Sequence, residues 1–78
     1  MARFRIEVNY RKGVENPEAV TVLRNLKILG FEDVTDVHVS RIFELDIKGS
    51  REVAEKTARE ISERILSNPV IQEYRILG

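Results

Sequence analysis

Proline at position 69 permits one reading of the last third of the chain: helix before it, extended backbone after it. Proline lacks the N–H that a helix interior needs, and it biases the residue before it away from helical angles. Asn68 precedes it, and asparagine tolerates the left-handed conformation that closes many helices. Ile65 to Ile76 (Ile-Leu-Ser-Asn-Pro-Val-Ile-Gln-Glu-Tyr-Arg-Ile) is therefore a helix-to-strand corner.

The remaining elements follow from apolar periodicity. Phe4, Ile6, Val8 and Tyr10 alternate with Arg3, Arg5, Glu7, Asn9 and Arg11, the signature of a strand with one buried and one charged face. After the loop Lys12-Gly13-Val14-Glu15, Asn16 is a helix N-cap and Pro17 occupies the first helical position. Ala19, Val22, Leu23, Leu26 and Leu29 form the apolar stripe of that helix, and Gly30 closes it. Val20 and Ile28 lie off the stripe, which points to contact with a second chain.

Between Thr35 and Lys48, Val37, Val39, Phe43, Leu45 and Ile47 alternate with Asp36, His38, Ser40, Glu44 and Asp46. A hairpin that keeps both apolar sets on one face pairs Val39 with Phe43 and Val37 with Leu45, leaving Ser40, Arg41 and Ile42 as the loop. Such a loop favours Gly or Asn at a left-handed position, and β-branched Ile42 suits it poorly. The alternatives to this hairpin are a bulged reversal and one long bent strand shared with a partner chain.

A second helix is predicted from an N-cap at Ser50 to about Ser67, with Ala54, Thr57, Ala58, Ile61 and Ile65 on one side. Its other side is a charge ladder: Arg51 with Glu55, Glu52 with Lys56, Glu55 with Arg59, Lys56 with Glu60, Arg59 with Glu63 and Glu60 with Arg64. Each pair contributes about 0.2 to 0.5 kcal/mol when formed. The last strand, Ile71 to Leu77, carries apolar groups on both parities, as expected of a strand buried on two sides. Two strand-helix-strand units in tandem predict a single α+β domain over residues 1–78, a ferredoxin-like βαββαβ sandwich with a four-stranded antiparallel sheet and both helices on one face.

Size and composition narrow the function. A chain of 78 residues is near the lower limit for a self-sufficient core, and with no Cys it has no disulfide to help. Self-association, as dimer or tetramer, is the expected remedy. Thirteen basic and 13 acidic residues cancel, which opposes nucleic-acid binding. No apolar run resembles a signal peptide or a membrane span, so the protein is expected to be cytoplasmic. His38 beside Asp36 and Ser40 lacks a nucleophile, Glu44 with Asp46 offers too few oxygens for a cation, and Gly13 after Arg11-Lys12 has acidic Glu15 close by. Tyr10 and Phe43 have core-facing parity and offer no platform for stacking RNA bases. No catalytic, cofactor or metal site is expected in this chain.

Arg11-Lys12-Gly13-Val14 with Asn16-Pro17, Leu26 with Leu29-Gly30-Phe31, Val34 with Val37 and Val39, and Asn68-Pro69-Val70-Ile71 with Tyr74-Arg75-Ile76 resemble, over essentially the whole chain, the PurS family. These are small accessory subunits of phosphoribosylformylglycinamidine synthase in purine biosynthesis. The resemblance implies a non-catalytic homo-oligomer that bridges a large ATP-dependent synthetase subunit and a glutaminase subunit and assists ammonia transfer, with ATP or ADP and Mg held by the synthetase. Similar proteins commonly carry Gly-Lys where this chain has Ser40-Arg41. The expected contact residues are Ser40, Arg41 and Ile42 at the tip, and Asn68, Pro69, Ile71, Tyr74 and Arg75 at the corner and last strand. Tyr74→Ala is expected to weaken self-association more than folding. A ligand-sensing regulatory domain of the same fold is the rival reading, and an RNA-binding module is a third, opposed by the charge balance.

Overall fold

The computed structural model describes residues 1–78. The alternating segment forms β1 (Ala2–Tyr10), at the centre of a three-stranded antiparallel sheet between β2 (Arg41–Ile47) and β3 (Gln72–Ile76). Phe4 lies opposite Leu45 and Ile6 opposite Phe43, while Val8 lies opposite Tyr74. The apolar sets of all three strands thus share one face.

Helix α2 (Arg51–Ile61) covers that face. Ala54 and Ala58 are fully buried against Phe4 and Ile6, and their small side chains let the helix approach closely. Ser50 Oγ accepts the Val53 N–H at 3.3 Å as the N-cap. The predicted helix reaches its expected length, but its end widens into a π-helical turn, Ser62–Leu66. There the Ser67 N–H and Oγ both donate to the Ser62 carbonyl, and buried Ser62 Oγ donates to the Ala58 carbonyl at 2.7 Å. The corner follows, with one correction: Asn68 does not take a left-handed angle, since only glycines have positive φ. Asn68 Oδ1 instead accepts the Val70 N–H at 3.1 Å, and its carbonyl accepts from Ile71 and Gln72, an Asx-type turn that stops the helix without αL geometry.

Helix α1 (Pro17–Ile28) begins as the sequence dictates, with Asn16 Oδ1 accepting from the N–H groups of Glu18 and Ala19. It ends at Leu29, ahead of Gly30 with φ +94°. Its position departs from expectation. The hydrophobic core of Ala2, Phe4, Ile6, Val8, Ala54 and Ala58 contains no α1 residue, and Ile28, Leu29 and Phe31 are exposed.

The cause is the missing hairpin. Residues 34–40 form no strand, residues 35–40 make no main-chain hydrogen bond to one another or to the sheet, and Arg41 continues directly into β2. The expected pairs Val39 with Phe43 and Val37 with Leu45 do not form, and the sheet has three strands where four were expected. No residue from Ser40 to Ile42 adopts the left-handed angle that a three-residue reversal needs, consistent with the cost of placing Ile42 there. Helix α1 and residues 34–40 therefore form an arm, and the molecule measures 51 × 23 × 14 Å. Only eight of 78 residues are buried.

Candidate assembly interface

The outward face of the sheet is a lattice of cross-strand ion pairs set by strand register. Arg3, opposite Asp46, donates to it through Nε at 2.8 Å, Arg5 approaches Glu44 at 3.8 Å, and Arg75 donates to Glu7 at 2.8 Å. The Glu7 carboxyl is lowered below its ordinary value by hydrogen bonds from Arg75 and Asn9, and the Asp46 carboxyl by the hydrogen bond from Arg3. Glu44 and Asp46 are thereby matched with arginines, which leaves little for a cation. No group of three or more His, Asp or Glu residues is placed to hold a metal ion.

The helix ladder is sparser than expected. Only Glu60 and Arg64 pair, at 2.8 Å. Arg51, expected against Glu55, lies over the Phe4 ring with its guanidinium carbon 4.7 Å from the centroid, capping the core by a cation–π contact. The Tyr74 hydroxyl donates to Glu63 at 2.8 Å, and that bond to a carboxylate raises the phenol's pKa.

The predicted contact residues divide into two groups. Ser40, Arg41 and Ile42 are exposed and extended where the arm joins β2. Asn68 and Pro69 are exposed at the corner, where the Pro69 carbonyl accepts from Arg11 Nε at 2.9 Å. Ser40, Arg41 and Gln72 line one cleft at the end of the sheet, so the tip and the last strand reach a common end of the molecule. Tyr74 and Ile71 are half-buried, with Tyr74 against the chain's own core, and Arg75 is engaged by Glu7. That placement gives Tyr74 a packing role within its own chain.

The arm replaces the preferred hairpin and, in running extended directly into β2, is nearer the alternative of one long bent strand. Its inner side packs Ala19, Val20 and Leu23 near Val37 and Val39 around a groove of ≈490 Å³, rimmed by Arg11, Lys12 and His38. His38 Nε2 lies 3.3 Å from Asp36 Oδ2, both widely exposed, with no nucleophile beside them. Arg11 is occupied by Pro69 and Glu73, so the Gly13 loop gathers no anion cradle. Ile42, a strand residue at a turn position, is the signal in the sequence that argued against the hairpin.

A three-stranded antiparallel sheet, two helices and an uncovered sheet edge define a small α+β domain. The chain belongs to the PurS family: the family model described as phosphoribosylformylglycinamidine (FGAM) synthase matches residues 3–77. It is 40% identical to the phosphoribosylformylglycinamidine synthase subunit PurS of Archaeoglobus fulgidus, over 92% of this chain and 91% of that one. It is also 40% identical to the Methanothermobacter thermautotrophicus subunit, over 95% and 90%. Among solved structures, Methanocaldococcus jannaschii PurS, described as a subunit of formylglycinamide ribonucleotide amidotransferase, is similar with TM-score 0.81 at 32% identity, covering 97% of this chain and 93% of that one. A chain in the structure of PurLQS from Thermotoga maritima is similar with TM-score 0.69 at 28% identity, covering 97% and 96%.

Proposed function

We propose that this chain is the small, non-catalytic subunit of FGAM synthase in purine biosynthesis. It self-associates, and it bridges a large synthetase subunit and a glutaminase subunit. The glutaminase hydrolyses glutamine to glutamate and ammonia, and the synthetase uses ATP, with Mg, to activate the amide oxygen that the ammonia displaces. The small subunit assists ammonia transfer by holding the two in register, in the cytoplasm. The observation that carries this reading is the family match across residues 3–77. A body with so little buried interior supports it, because such a body is stabilised by binding to its partners.

The test is reconstitution. The purified chain is mixed with its host's synthetase and glutaminase in the presence of glutamine and ADP, and the mixture is sized. A complex containing all three supports the reading. Synthetase and glutaminase that elute identically with and without the chain overturn it.

A further inference from the structure

We propose that the end of α2 is a two-register element, in which Ile65 and Leu66 compete for one place in the core and the wide turn at Ser62–Leu66 selects Leu66. The starting point is a conflict of phase. At about 100° per residue, an unbroken α-helix sets Ile65 between Ala54 and Ala58 on the buried stripe and carries Leu66 about 40° past Ser62, away from them. The structure shows the reverse: Leu66 packs against the core, and Ile65 is 75% exposed. A turn closed by hydrogen bonds five residues apart holds one residue more than an α turn, and that extra residue brings Leu66 inward.

Side chains fasten the far end of the wide turn. Ser67 gives the Ser62 carbonyl two donors, its N–H at 3.1 Å and its Oγ at 2.7 Å. The next N–H, that of Asn68, donates to Gln72 Oε1 at 2.8 Å rather than to a helical carbonyl. The near end is fixed separately. Ser62 is fully buried with its Oγ on the Ala58 carbonyl at 2.7 Å, and the Tyr74 hydroxyl holds Glu63 to β3 at 2.8 Å. The choice of register therefore falls on the residues after Glu63.

The second register is an ordinary α turn. In it the Ser67 N–H moves to the Glu63 carbonyl, Ile65 enters the core place and Leu66 turns out to solvent. Ile and Leu are a volume-conserving pair, so burial alone separates the two registers little. The polar fasteners decide, because the bonds of Ser67 Oγ and Gln72 Oε1 belong to the wide register. The register also sets how far the chain has turned when it reaches Asn68, and with it the direction in which exposed Pro69 and Val70 project from the corner.

This device belongs to the single chain and does not rest on the assembly proposed above. In the isotopically labelled full chain, NMR couplings through hydrogen bonds report which carbonyl holds the residue 67 amide. The parent is expected to couple residue 67 to Ser62. Ser67→Ala combined with Gln72→Ala removes both fasteners, so the amide should couple to Glu63 instead, and core contacts of Leu66 should give way to contacts of Ile65. Coupling to Glu63 in the parent, or a residue 67 amide that stays on Ser62 or loses all coupling in the variant, would overturn the proposal. Competition also predicts non-additive losses. Ile65→Ala should barely move the melting midpoint, and Leu66→Ala should lower it only slightly because Ile65 takes the vacated place. The two together should lower it by at least twice the sum of the single shifts, and additive shifts would contradict the two-register element.

Discussion

Phe4 shows how much a single side chain carries here. It is fully buried between β2 and α2, capped by the Arg51 guanidinium, in a core of six buried residues. Phe4→Ala should cost about 3 to 5 kcal/mol, comparable to the whole stability of many domains of this size, so urea unfolding is expected to show a largely unfolded variant. The surface pairs behave differently, being exposed and individually weak. Glu7 has its pKa depressed in the folded state, so its stabilising contribution is present above the unfolded value and is lost as pH falls through the folded one. Glu7→Gln should therefore unfold at lower denaturant than the parent at pH 7, the gap closing as pH drops below about 4.3. A gap that is constant from pH 7 to pH 3 would contradict that assignment. The inward parity of Phe4, Ile6 and Val8 was legible in the sequence because alternation is local. The destination of Arg51 was not, because its choice between Glu55 and Phe4 depends on where α2 lands.

Elements with their own punctuation were legible as well. Asn16-Pro17 starts α1 and Gly30 follows its end, as the residues require. Asn16→Ala removes a cap for two N–H groups and a 3.4 Å bond to the Val39 carbonyl, so it should destabilise by about 1 kcal/mol and raise amide exchange in the first turn of α1. The π-helical turn was not legible, since it arises from Ser67 reaching back to Ser62 only once the corner is folded. Tyr74 on β3 was read from its strand's mixed parity as an assembly residue. With its ring against the core and its hydroxyl on Glu63, Tyr74→Ala is expected to lower the melting temperature even at concentrations that saturate self-association. The hairpin failed for a related reason: alternation specifies that residues 37–47 are extended and which face is apolar, but not which chain supplies the neighbouring strand. Only the turn chemistry separates the two outcomes, and Ile42 favours continuation.

At the scale of the whole molecule, the small buried core and the bare edge of β2 lead to the prediction that folding and the proposed self-association are one process. A protein of this kind melts at a temperature that rises with its concentration, because the folded form is consumed by pairing. A tenfold dilution should lower the midpoint seen by circular dichroism, whereas an independently stable monomer would melt at the same temperature throughout. Membership of the family was legible from motifs spread along the chain. The bare sheet edge whose completion the proposed self-association requires became visible only with the fold. The most direct test of that completion is sedimentation equilibrium on the purified chain alone at micromolar concentration. A dimer or a multiple of it, with no folded species at the 9.0 kDa of one chain, is the predicted result, and a folded, heat-stable monomer of 9.0 kDa would contradict the account.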